Sequence, residues 1–152
     1  MSFDYTQAYR LMHLIRRTEE EIVTRYHRDQ KMRCPTHLSI GQESAAVGVM
    51  MALEADDHIY STHRSHAHYL AKGGDLNAMI AEIYGKESGC SKGRGGSMHL
   101  IDRSVGFMGS TPIVGGTIPI GTGLALGMKY RKTEQISCIF LGDSAVEEGV
   151  FY

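Results

Sequence analysis

The sequence predicts an α/β domain in which a parallel sheet is flanked by helices. Segments with helical spacing alternate with short β-rich segments, the pattern of βα units. The run Ile136-Ser137-Cys138-Ile139-Phe140-Leu141 is apolar and continuous, as expected of a buried parallel strand. It leads straight into Gly142-Asp143-Ser144-Ala145, a glycine turn that should open a helix at the carboxyl end of that strand.

Each element has a local reason. From Tyr5 to His27, apolar side chains recur at Ala8, Leu11, Met12, Ile15, Ile22 and Tyr26, and Arg16, Arg17, Glu19, Glu20 and Arg25 are assigned to the solvent side. This is a long surface helix. Ser39-Ile40-Gly41-Gln42 has capping-box spacing, with Ser39 accepting from the third helical N–H and Gln42 reaching back. A buried helix is expected to follow to about Leu53. His58-Ile59-Tyr60 reads as a short strand entering the polar cluster Ser61-Thr62-His63-Arg64-Ser65-His66. Asp75 can cap a helix Leu76–Tyr84 closed by Gly85. A helix from Ile118 to about Arg131 contains Gly121, Gly123 and Gly127, whose small size is expected to let it approach a neighbour closely. Of the 18 glycines, most fall between Gly85 and Gly127 without any repeat, so the backbone itself matters there.

Composition narrows the function. Sixteen Lys+Arg against 17 Asp+Glu give a formal charge of −1, which supplies no basic field for a nucleic-acid backbone. The longest apolar stretch, Ala45 to Leu53, is about half of a bilayer span, so no membrane segment is expected. Met1 to Tyr5 lacks a basic region followed by an apolar run, and a cytoplasmic location is expected. Cys34, Cys90 and Cys138 are odd in number and far apart, as reduced thiols would be. No linker-like boundary interrupts residues 1–152, which read as a single domain.

Three motifs carry chemistry. Asp143 at the end of a strand is either a plain helix cap or an oxygen ligand for Mg²⁺ beside phosphate. His63-Arg64-Ser65-His66-Ala67-His68 is a solvated turn, an anion clamp centred on the Arg64 fork, or a zinc site. Zinc is awkward, because His66 and His68 would lie about 200° apart on a helix. The loop Gly89 to His99 lacks both the Walker order and the dinucleotide G-x-G-x-x-G order, yet its glycines allow close approach to a ligand or a backbone.

Five ordered segments together resemble one family. They are Cys34-Pro35-Thr36-His37-Leu38-Ser39-Ile40-Gly41-Gln42-Glu43, Thr62-His63-Arg64-Ser65-His66, Lys92-Gly93-Arg94-Gly95-Gly96-Ser97-Met98-His99, Ile113-Val114-Gly115-Gly116 and Gly142-Asp143-Ser144-Ala145. This set resembles the alpha subunits of the thiamine-diphosphate-dependent decarboxylating component of 2-oxo acid dehydrogenases, in the pyruvate and acetoin branch. The resemblance implies the thiamine-diphosphate-binding fold, here its N-terminal part, with residues 1–152 a single domain truncated at its C-terminal end.

By position, the resemblance implies that Asp143 ligates Mg²⁺ and that Gly142, Ser144 and Ala145 meet the diphosphate. It implies that Arg64 and His63 bind diphosphate oxygens, and that His37 and His63 are catalytic residues at the reaction cavity. Pro112, Ile113 and Val114 would hold the aminopyrimidine of thiamine diphosphate. The implied reaction decarboxylates a 2-oxo acid, or cleaves acetoin, and passes the acyl group to lipoamide. The implied partners are a beta subunit in an alpha2beta2 assembly and a lipoyl-bearing acyltransferase. Two departures stand out. Ser144 replaces the second glycine of the family's Gly-Asp-Gly, which would strain the turn if that glycine serves a positive φ. Pro112 removes a backbone donor from a stretch that is commonly Gly-Asn-Gly-Ile-Val-Gly. The alternative is a non-catalytic binding or assembly module that keeps the fold.

Overall fold

The computed structural model describes residues 3–152; Met1 and Ser2, which open the stretch read as lacking a signal, lie outside them. Helix α1 spans Tyr5–Asp29 and starts where the Asp4 carboxylate accepts from the N–H groups of Thr6 and Gln7. It ends at Gln30, in the left-handed region at φ 51°. Its apolar stripe is buried at Ala8, Ile15 and Ile22, but Thr18 and Glu19 are buried with it. The assignment of Glu19 to the solvent side is therefore corrected. It sits four residues after Ile15, in phase with the stripe, and finds polar partners inside.

Helix α2 covers Glu43–Met50, so it begins after the expected capping box and stops short of Leu53. The box does not form. Gln42 occupies the cap position with no side-chain bond, and Ser39 is buried outside the helix. In its place the Glu43 carboxylate accepts from the Gly41 N–H and takes a two-pronged bond from Arg16 at 2.6 and 3.1 Å. The bond from Arg16 holds this carboxyl below the usual carboxylate range, against the opposing effect of burial. The helix buries one face only, through Ala46, Val47 and Met50, and leaves Val49 exposed.

Three parallel strands follow in the order β2-β1-β3, with β1 at His58–Ser61, β2 at Phe107–Ser110 and β3 at Ser137–Ile139. Ile59 pairs with Phe107 on one side and Cys138 on the other. Between β1 and β2 lie α3 (His66–Ala71) and α4 (Leu76–Ile83), the latter capped by Asp75 onto the Ala78 N–H. Helix α5 spans Thr117–Arg131 and packs on β3 and β1. Pro119 fits there because the first turn of a helix has no N–H to lose. The core joins Ile15, Ile59, Met79, Ile83, Leu100 and Tyr69, with Phe107 edge-on to Tyr69 at 5.3 Å.

Two further expectations are corrected at the carboxyl end. Among the described residues β3 is an edge strand whose three residues are half-buried, and Ile136 beside it is 53% exposed, so they do not cover the run on both faces. The segment after it, Asp143–Glu147, is a 3-10 turn rather than an α-helix. Of the three helical glycines, only Gly121 meets a neighbour. A Cβ there would lie 2.5 Å from the Ile139 side chain, whereas Gly123 and Gly127 face open space.

The glycine-rich loop is organised by a carboxylate. Glu82 on α4 is fully buried, and its two oxygens accept from the N–H groups of Ser91, Gly93, Gly95 and Gly96 at 2.6–3.2 Å. Gly93 sits at φ +73°, and a Cβ there would lie 2.7 Å from the Gly85 carbonyl carbon. Glycine thus lets the loop close around the carboxylate without side chains in the way.

Two predictions follow from packing. Glu82→Gln turns an amide NH₂ toward backbone donors and should lower stability by about 3 kcal/mol, read as a shift of the urea midpoint at constant slope. Gly121→Ala should destabilise by about 1–3 kcal/mol through overpacking, whereas Gly123→Ala should gain roughly 0.5–1 kcal/mol from helix propensity. Equal responses at the two glycines in thermal melts would contradict this assignment.

Candidate functional site

In a parallel sheet the segments leaving the carboxyl ends of the strands converge on one edge. Here the chain leaves β1 toward one neighbour and later returns on the other side, which opens a crevice at that edge. Thr62-His63-Arg64 leave β1, Thr111-Pro112-Ile113-Val114 leave β2, and Phe140 to Ala145 leave β3; all line one cleft of about 420 Å³. That volume is in the range of small-molecule sites.

Arg64 is exposed, and its Nη1 donates to the Leu38 carbonyl at 2.6 Å, which lays the guanidinium along the segment before α2. His63 is half-buried, and burial, with the positive fields of His37 and Arg64 behind it, pushes its pKa down. Its ring meets the edge of His37 with centroids 4.7 Å apart. His37 is therefore one ring removed from the cleft and is not itself part of the lining. Asp143 and Ser144 stand exposed at the lip, and Ala145 is buried beneath them.

The turn bearing these residues is unstrained at the position in question. Ser144 is not among the residues with positive φ, so the strain expected of a non-glycine there does not arise. The Ala145 N–H donates to the Gly142 carbonyl at 3.0 Å and is engaged within the turn. Ile113, 70% exposed, and Val114 add a bare apolar patch to the same lining.

The histidine cluster separates into three environments. His68 lines the cleft, stacks on Phe140 with centroids 3.8 Å apart and has Nδ1 2.7 Å from Ser61 Oγ. Burial pushes its pKa down to about 4. His66 is fully buried, with Nδ1 donating to Glu19 at 3.0 Å and Nε2 2.8 Å from Ser97 Oγ. Both its ring nitrogens are occupied. Among the described residues no group of three His, Cys, Asp or Glu is placed to hold a metal ion, which removes the zinc reading of His63, His66 and His68.

Sequence reasoning missed the layer below the cleft. Glu19 accepts from His66 with one oxygen and from the Ser39 N–H, at 3.3 Å, with the other. It joins α1 to both segments that carry Arg64 and its carbonyl partner. A carboxylate in phase with an apolar stripe was the available signal. Ser39 and Gln42 of the lining were read only as a helix cap within a family-like segment, and Thr117 had no mark. The three cysteines are free thiols, and among the described residues no helix is long and apolar enough to cross a membrane.

Comparison with known proteins gives a consistent set. A family described as "Dehydrogenase E1 component" matches residues 10–152. The alpha subunit of an acetoin:2,6-dichlorophenolindophenol oxidoreductase of Bacillus subtilis is 48% identical over 116 residues, covering 76% of this chain and 35% of the relative. The pyruvate dehydrogenase E1 component subunit alpha of Rickettsia bellii is 41% identical over 149 residues, covering 98% of this chain and 45% of the relative. The acetoin-oxidoreductase alpha subunit of Cupriavidus necator is 43% identical over 144 residues, covering 95% of this chain and 43% of the relative. The chain thus spans less than half the length of these relatives.

Burial of His68 has a pH consequence. The unfolded histidine titrates near pH 6.5 and the folded one near 4, so the unfolded chain takes up a proton first as pH falls. The contribution to stability is complete above about pH 6.5 and is lost as pH falls toward 4. Between about pH 7 and about pH 4.5, the wild type should lose on the order of 2 kcal/mol more than His68→Gln in urea unfolding. Parallel pH profiles for the two proteins would contradict the burial argument.

Proposed function

The chain belongs to the dehydrogenase E1 component family, and from that premise we propose that it is the alpha subunit of a pyruvate- or acetoin-dehydrogenase-type enzyme that works with thiamine diphosphate and Mg²⁺. The observation that carries this reading is the convergence of Arg64, His63, Asp143 and the apolar wall of Ile113 and Val114 on one cleft from three separate strand ends. A guanidinium matches phosphate oxygens, a carboxylate suits a hard divalent cation, and an apolar wall suits a flat heterocycle. The residues present therefore fit the cofactor.

In this reading Arg64 and His63 hold diphosphate oxygens. Gly142 and the Ser144 amide do so from the turn after β3, while Ala145, its own amide engaged, underpins the turn. Asp143 supplies an oxygen to Mg²⁺. Pro112, Ile113 and Val114 back the aminopyrimidine and keep water from that wall. When bound, thiamine diphosphate supplies the electron sink for cleaving the bond beside a carbonyl. With its pKa lowered, His63 is neutral near pH 7 and can accept a hydrogen bond beside Arg64 without adding charge. His37 packs against it and sets the position of its ring.

The substrate in this reading is a small 2-oxo acid or acetoin, and the acyl product passes to a lipoyl-bearing acyltransferase. The partner is a beta subunit in an alpha2beta2 assembly in the cytoplasm. Residues 1–152 form a single cofactor-binding domain within the alpha chain. The negative φ of Ser144 leaves no strain at this turn to favour a non-catalytic module.

Calorimetric titration of thiamine diphosphate with Mg²⁺ into the gene product assembled with its beta partner tests the reading. Wild type should bind, and both Asp143→Asn and Arg64→Ala should weaken binding by at least ~10-fold, with the Mg²⁺ requirement altered in Asp143→Asn only. A wild-type assembly that does not bind overturns the proposal.

A further inference from the structure

The floor of the cleft holds a hydroxyl that nothing in the protein satisfies. Ser39 is 2% exposed, and its Oγ is buried without a hydrogen-bond partner among the described residues. Among the described residues it is the only such atom carried by a residue that lines the cleft. A buried, unpaired hydroxyl costs roughly 1–3 kcal/mol, so it should be met by something that enters from the cleft.

The surroundings define what that is. The Ser39 backbone is fixed from below, where its N–H donates to Glu19. One residue away, the Leu38 carbonyl takes a single N–H of Arg64, leaving the other guanidinium donors of this exposed side chain available. Among the described residues that line the cleft, the one acidic side chain is Asp143, on the segment leaving β3. The nearby carboxylates are engaged elsewhere: Glu19 by His66 and the Ser39 N–H, and Glu43 by Arg16 and the Gly41 N–H. A donor hydroxyl next to the residue whose carbonyl holds a partly free guanidinium, in a cleft whose single lining carboxylate, Asp143, stands on another segment, suits an anionic oxygen.

We propose that Ser39 is a ligand-binding residue whose hydroxyl donates to an anionic oxygen of the molecule in the cleft, alongside Arg64. This rests on the functional reading above and extends it to a residue outside the set read from the sequence. The anionic oxygen belongs either to the diphosphate of the cofactor or to the carboxylate of a 2-oxo acid, and the two sources are separable.

The experiment uses the complete alpha chain assembled with its beta subunit, as wild type, Ser39→Ala and Ser39→Thr. Thiamine diphosphate with Mg²⁺ is titrated into the apo assembly by calorimetry, and pyruvate KM and kcat are measured at saturating cofactor. Because the hydroxyl has no protein partner, Ser39→Ala should leave Tm unchanged or slightly raised. It should weaken one ligand by roughly 10-fold, and Ser39→Thr, which keeps the hydroxyl, should recover most of that loss. Loss in the calorimetric arm places the hydroxyl on the diphosphate; a raised KM with cofactor affinity intact places it on the substrate carboxylate. Ser39→Ala with both affinities within about twofold of wild type, whether or not Tm falls, overturns the proposal while leaving the cofactor reading intact. A wild-type assembly that binds no cofactor overturns both.

Discussion

A carboxylate removed from water must be met by hydrogen bonds, and this chain uses that requirement to hold its irregular backbone in place. Glu19, on the inner face of α1, accepts from His66 and from the Ser39 N–H and so ties the first helix to two distant segments. Those segments carry Arg64 and the carbonyl on which it rests. Removing either partner of such a buried pair leaves the other uncompensated, at a cost of several kcal/mol. The cleft thus inherits its shape from an interaction that never reaches its surface.

Glu82 solves the same problem in a different place. Between α4 and β2 the chain runs through a long stretch with no regular element beyond a short 3-10 turn at Arg103–Val105, and such a stretch leaves many backbone donors to satisfy. Four of them point at one carboxylate. The loop then presents Ser97 to His66, so the two buried acids belong to one connected polar layer running from α4 to α1. Glycine is required in that loop where it turns through positive φ or presses on backbone, as at Gly93, and not as a means of reaching phosphate.

The legible part of the fold is the part written in local chemistry. Helices α1 and α4 have caps and spacing that need no tertiary partner, α5 lacks both a side-chain cap and an apolar stripe, and β1 and β3 sit in β-rich runs. Strand β2 escaped because Phe107-Met108-Gly109-Ser110 contains a glycine at φ 158° and shows no clear alternation; only its pairing with β1 makes it a strand. The capping box failed for a related reason. Tertiary bonds from Glu19 and Arg16 captured Ser39 and Glu43, and the helix began where they allowed. Cleft residues such as Arg64 and Asp143 were readable because they follow β-rich runs, at strand ends where ligand sites concentrate, whereas Pro112, behind the unread β2, was marked only by the family resemblance. Glu19 and Ser39 were not, since their meaning depends on partners tens of residues away.

The cleft carries few formal charges. His68 is kept neutral near pH 7 by burial, and His63 is pushed in the same direction by burial and by its positive neighbours. Among the described residues that line the cleft, the formal charges remaining are one cation, Arg64, and one anion, Asp143. They stand on segments leaving different strands, with a bare apolar wall between the chain segments that carry them in sequence. A purely anionic ligand would be repelled by Asp143, and a purely cationic one by Arg64. A ligand with an anionic group that itself binds a divalent cation satisfies both charges at once, and an apolar ring on the same molecule would cover Ile113 and Val114. Under the proposed reading, a composite ligand suits the cleft better than any single charged group, and no one of its residues sets that preference alone.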